Sequence, residues 1–119
     1  MGTNYYWFKD RINEAALIDS GLHIGKDSAG WVFNFEAHKG LRTTKAYKEF
    51  LKEGFIYDEY GREFSYKEFL GVLEDSKEKD YFGRRPYSYS NPDPNESNCR
   101  NYYTEWEDEG YMFTVGDFV

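Results

Sequence analysis

The chain is poor in the residues from which reactive and metal-binding centres are built. Its 119 residues include one cysteine, Cys99, and two histidines, His23 and His38. A lone cysteine excludes an internal disulfide and a cysteine-built zinc site. The two histidines, with Glu36 and Asp27 as neighbours, do not show the His-x-x-x-His spacing of a metal pair, so no metal is expected. Cys99 has no flanking histidine and Ser28 lies in no nucleophile-elbow pattern, so nucleophilic catalysis has no candidate. No phosphate-loop or dinucleotide spacing occurs, and no cofactor is expected. No apolar run approaches the roughly 20 residues of a membrane-spanning helix, and a basic-then-apolar leader pattern is missing; the expectation is a protein of a reducing compartment without membrane contact. Cations are also in deficit, 15 against 22 carboxylates, for a formal charge of −7. Such a molecule repels nucleic acid at long range, so its expected partner is basic.

What the chain has in plenty is aromatic surface: 12 Tyr, 10 Phe and 3 Trp, 21% of all residues. Rings rather than aliphatic chains must fill much of the core, with tyrosines left over for the surface. The clearest pattern lies in Leu22 to Phe35. Two alternating apolar runs flank a small polar turn at Ser28-Ala29-Gly30, and Trp31, Phe33 and Phe35 share one face; this predicts a central hairpin. Thr3 to Lys9, apolar on both faces, predicts a covered strand before it. Thr43 or Thr44 can cap a helix whose buried stripe is Ala46, Tyr47, Phe50 and Leu51, with Gly54 as its stop. Phe55-Ile56-Tyr57 and Arg62-Glu63-Phe64 flank a turn with Gly61 in the left-handed position. Ser65 to Glu68 is a capping box that opens a second helix with Tyr66, Phe69, Leu70 and Leu73 inward. A long irregular loop spans about residues 80–101 and holds all three prolines. Residues 102–109 fit an edge strand or loop, and Tyr111 to Val115 a last strand. The expectation is a single α+β domain over residues 1–119, an antiparallel sheet of about four to six strands carrying two helices, with the long loop before the last strand.

Three stretches could bind something. Trp106 among Glu105, Glu107, Asp108 and Glu109 offers an aromatic anchor inside an acidic run, the chemistry that seats a protein in the basic groove of another; such runs are otherwise plain solvated faces. Tyr87 and Tyr89 add rings suited to a protein contact. His23, Lys26 and Ser28 could form a polar tip for a phosphate or nucleotide, with Gly25 and Gly30 admitting the ligand; alternatively the glycines serve the turn and His23 is a satisfied strand residue. Arg84 and Arg85 interleave with rings as single-stranded nucleic-acid sites do, against acidic neighbours and the negative total charge.

Met1-Gly2-Thr3-Asn4-Tyr5-Tyr6, Leu22-His23-Ile24-Gly25-Lys26, Ser28-Ala29-Gly30-Trp31 with Phe33, the Asp58 to Glu63 turn and Val115-Gly116-Asp117-Phe118 together resemble a group of small uncharacterised bacteriophage proteins. Members of that group carry a Cys-x-x-Cys after the first strand that suggests a zinc site; here residues 11–19 hold no cysteine and Val32 follows Trp31, so no metal role passes to His23. The resemblance implies a phage origin and residence in the host cytoplasm. With the acidic, tyrosine-rich composition it points to a non-enzymatic, stoichiometric inhibitor of a host defence or nucleic-acid-handling protein, of the anti-CRISPR kind. The alternatives are a nucleotide- or phosphate-binding protein or small enzyme built on His23 and Lys26, and a phage structural accessory protein.

Overall fold

The computed structural model describes residues 2–12, 20–79 and 105–115. Its elements are β1 (Gly2–Phe8), β2 (Leu22–Ser28), β3 (Asn34–Ala37), α1 (Thr44–Leu51), β4 (Phe55–Asp58), β5 (Glu63–Phe64), α2 (Tyr66–Glu78), β6 (Glu105–Asp108) and β7 (Tyr111–Val115). The α+β class is as expected. The sheet differs from expectation in two ways: it has seven strands, ordered β5-β4-β1-β2-β3-β7-β6, and it is mixed, because β3 and β7 run parallel. The pairing joins Asn34 to Met112 and Ala37 to Val115, residues far apart in the chain. Nothing local distinguishes a parallel from an antiparallel neighbour. The trace it leaves is that Tyr111 to Thr114 are all buried, as befits a strand flanked on both sides. The expected loop over 80–101 falls outside the described residues.

Both helices cover the same face of the sheet. Tyr47 of α1 packs on Phe35 and Phe113, and Phe69 of α2 packs on Tyr5 and Phe33. The core is thus a continuous run of rings, with Phe35 stacked on Phe113 at 4.9 Å and Phe113 stacked on Trp106 at 5.7 Å. The caps form as their residue types require. The Ala46 N–H donates to Thr43 Oγ1 at 3.1 Å, and Ser65 and Glu68 satisfy each other's backbone N–H groups. Gly61 takes positive φ in the β4–β5 turn, where the Asp58 carboxylate accepts from the N–H groups of Tyr60 and Arg62.

Two glycines serve contacts rather than turns. Gly25 lies inside β2 opposite Tyr5 and Phe35, and a methyl group there would meet the Phe33 ring at 2.6 Å and strike the Asn34 carbonyl. Gly54 follows α1 without positive φ; its open face receives the Trp7 ring and the Phe8 carbonyl, so close approach and not helix termination explains it.

The β2 and β3 strands share only two ladder positions, Gly25 with Phe35 and Lys26 with Asn34, and β1 meets β2 through an irregular register between Tyr5 and Tyr6. Where the β2–β3 ladder stops, side chains replace it. The buried Tyr47 hydroxyl reaches the Glu36 carbonyl at 2.6 Å and the Ile24 carbonyl at 3.3 Å, and His38 Nε2 lies 2.9 Å from the His23 carbonyl. Ser76 does similar work for α2: its hydroxyl donates to the Leu73 carbonyl and accepts from the Phe33 N–H at 3.0 Å. Replacing Tyr47 by Phe keeps the ring and leaves the two carbonyls without that donor. The expected cost is about 1–3 kcal/mol, read as a lowered urea midpoint with an unchanged m-value.

Candidate functional site

His23, Lys26 and Ser28 do not form a common tip. His23 is near the start of β2 and Ser28 at its end, roughly 17 Å away along an extended strand. Lys26 lies between them, opposite Asn4 and Asn34. The face of the sheet turned from the helices carries instead a chain of polar contacts centred on His23. Its Nε2 is 2.8 Å from Asn4 Oδ1 and its Nδ1 is 2.6 Å from Glu36 Oε1, while Glu36 Oε2 lies 3.5 Å from His38 Nε2. Asn4 in turn gives its backbone N–H and its amide Nδ2 to Glu59 Oε1 at 2.7 and 3.2 Å.

The Asn4 side of this chain fixes one proton position. Glu59 accepts from the Asn4 amide nitrogen, so Asn4 Oδ1 must face His23 as an acceptor, and His23 Nε2 must donate to it. The other ring nitrogen faces a carboxylate. The doubly protonated imidazolium with ionised Glu36 fills both bonds, and so does a proton held on Glu36 and donated to Nδ1. In either arrangement both ring nitrogens are engaged, and none is left to take a substrate proton or a metal ion. The satisfied-strand alternative for His23 therefore describes the geometry. No group of three or more potential metal ligands is present among the described residues.

The acidic run also differs from expectation. Trp106 is 2% exposed: its pairing opposite Phe113 turns it toward the helices, where its indole N–H donates to the Arg42 carbonyl at 3.2 Å and the Arg42 guanidinium lies over its ring. It is a core residue and offers no surface anchor. Asp108 is tied down as well, its carboxylate accepting from the Thr44 N–H at 2.7 Å and its carbonyl from the Thr44 hydroxyl at 3.0 Å, so it caps the start of α1 from across the sheet. Glu105 enters β6 by pairing with Thr114. Glu107 and Glu109 are exposed. Tyr87, Tyr89, Arg84 and Arg85 lie outside the described residues.

The exposed acids gain company that the sequence order conceals. The Tyr111 hydroxyl approaches Glu74 of α2 at 3.4 Å, Lys77 lies over the Tyr111 ring at 4.3 Å, and the same lysine borders Gly110. Burial first, then Glu74 and Glu109, push the Tyr111 phenol well up. The β6–β7 turn and the second half of α2 are therefore neighbours: Glu74 and Glu109 meet around the Tyr111 phenol as an acidic rim with Lys77 as its cation, while Asp75, Glu78 and Glu107 are further exposed acids of α2 and β6, Glu107 on the strand face opposite to that of Trp106.

Where α2 ends, the rim meets a groove of about 360 Å³ beside the β2–β3 turn, bordered by Asp27, Ser28, Trp31, Tyr60, Asp75 and Lys79. Burial pushes the Asp27 carboxyl up, Lys79 pulls it back, and Asp75 adds to the rise. Tyr5 feels the same environment, its phenol raised to about 12 by burial with Asp27 and Asp58 adding. Of the expected ligand residues that the structure describes, Ser28 is here, with Asp27 and Gly30 beside it, while His23 and Lys26 are not; Tyr60 and Asp75 reach the groove from separate elements, which no local pattern in the sequence conveys.

A carboxyl whose value rises on folding favours the folded state below its unfolded value and loses that contribution as pH climbs through the raised one. Asp27→Asn is thus expected to raise Tm at neutral pH, with the gain shrinking toward zero as pH falls below about 4, measured by thermal melts across pH. No family model matches the chain, and no curated protein or solved structure is detectably similar to it.

Proposed function

We propose that this chain is a binding protein without catalytic activity, which uses its acidic rim to occupy the basic nucleic-acid-binding surface of a partner protein and so inhibits it stoichiometrically. The observation that carries this reading is the meeting of Glu74 on α2 with Glu109 at the β6–β7 turn around Tyr111, with Asp75, Glu78 and Glu107 exposed on the same two elements, in a chain of net charge −7. Complementary charge of this density steers a basic partner into place and excludes nucleic acid from the same surface. The resemblance to small bacteriophage proteins supports a host protein as that partner, in defence or nucleic-acid handling. Binding energy is spread over the rim, with Trp106 holding the strand that presents it. The alternative centred on His23 is disfavoured because both ring nitrogens are consumed within the sheet.

The test is capture from host lysate with the tagged chain, followed by competition with DNA and a salt titration of the purified complex. The expected result is a nucleic-acid-binding protein displaced by DNA, with affinity falling steeply as salt rises. The triple variant Glu74→Lys, Glu107→Lys, Glu109→Lys should weaken that complex by at least about a hundredfold, since each reversal opposes a basic partner. A partner indifferent to DNA, or one that the reversed variant binds equally well, overturns the reading.

A further inference from the structure

The groove at the end of the rim has a composition of its own. It brings two carboxylates, Asp27 and Asp75, against one ammonium, Lys79, and adds two ring-bearing side chains, Trp31 and Tyr60. Tyr60 is the large apolar side chain left most open among the described residues, at 73% exposure. Asp27 is its counterpart in polarity. Asp27 is half-buried, and among the described residues its carboxylate accepts no hydrogen bond and makes no ion pair. A carboxylate in that position keeps only part of its hydration and has no protein donor among the described residues, a cost that a ligand carrying N–H groups and positive charge reduces.

The remaining features narrow the ligand. An anion is opposed by the two carboxylates. A small inorganic cation would find two carboxylates and no third carboxylate, histidine or cysteine among the described residues. An organic cation suits the whole lining, since its charge answers Asp27 and Asp75 while its weakly hydrated faces and alkyl stem lie on Trp31 and Tyr60. The volume, about 360 Å³, admits such a group with part of its chain. The geometry points to a binding site for a guanidinium or primary ammonium group, with Asp27 as its counter-ion and Tyr60 and Trp31 as its aromatic contacts. An arginine or lysine side chain of the partner can bring that group, and this source rests on the function proposed above; a free guanidine or diamine can bring it without any partner.

Amide-detected NMR titrations of the intact chain with agmatine, with Nα-acetyl-arginine methylamide and with the uncharged citrulline analogue test the site. Both cations should shift the signals of residues 27–31, 60 and 75–79 in a saturable way, and the citrulline compound should not. Asp27→Asn should weaken binding by about tenfold or more, the loss of one charge-assisted hydrogen bond, while its melting temperature stays at or above that of the parent. Tighter binding of the arginine derivative assigns the cation to a protein side chain, and tighter binding of agmatine to a free amine. Absence of saturable shifts with either cation, or undiminished binding by Asp27→Asn, overturns the site. The outcomes separate from those of the rim: agmatine binding that persists in the Glu107→Lys, Glu109→Lys variant without any captured partner leaves the groove standing and the partner reading fallen. A captured partner with no agmatine binding does the reverse.

Discussion

The Tyr47 hydroxyl stands where the two halves of the sheet come apart. The β2 and β3 strands are paired at only two positions, and past them the Ile24 and Glu36 carbonyls would face a dry core with no backbone donor opposite. One phenol from α1 reaches both, and it does so from a fully buried position where burial also pushes its own pKa well up. A neutral hydroxyl with one proton and two acceptors is a sparing solution, in which the short contact to Glu36 takes the proton and the longer one to Ile24 shares it. The helix must then sit at a fixed height over the sheet, which sets the stacking of Phe35 against Tyr47 and Phe113 and the tuck of Phe33 over Gly25. The His38 contact to the His23 carbonyl completes the same repair from the other face.

That division of faces organises the chemistry. The helix-covered side is aromatic and closed, and the polar chain from Glu59 through Asn4 and His23 to Glu36 lies on the other. Each member of this chain has its hydrogen-bonding capacity drawn into a neighbour, which rigidifies the sheet and leaves little to offer a ligand. The surface with charge to spare is at the margin, where α2 passes the β6–β7 turn and ends beside the β2–β3 turn.

Features set by neighbours along the chain were legible in the residues. The Ser65–Glu68 box, the Thr43 cap and Gly61 in its turn each depend on contacts within a few positions, and their residue types announce them. The inward stripe of α1 and the shared face of Phe33 and Phe35 followed from period alone. What period cannot convey is which strand lies beside which. Trp106 reads as an exposed anchor because its sequence neighbours are acids, yet its place opposite Phe113 makes it core. Asp108 reads as a charged partner residue, and it is held by Thr44. The rim and the groove were invisible for the same reason, since Glu74 with Glu109, or Asp27 with Tyr60 and Asp75, meet only after the sheet has closed.

The parallel seam between β3 and β7 has a consequence during synthesis. A ribosome that has released β1 through α2 has delivered every partner of β2, both helices and the Tyr47 repair, yet β3 still has one side unsatisfied. Phe35, already packed on Tyr47, then still lacks its partners Phe113 and Tyr111 and lies beside an open row of backbone groups. Loop closure over such a separation is slow compared with the hairpins and helices already formed. Until β7 is added, the free side of β3 is an unpaired strand edge, the kind of surface on which another chain can pair.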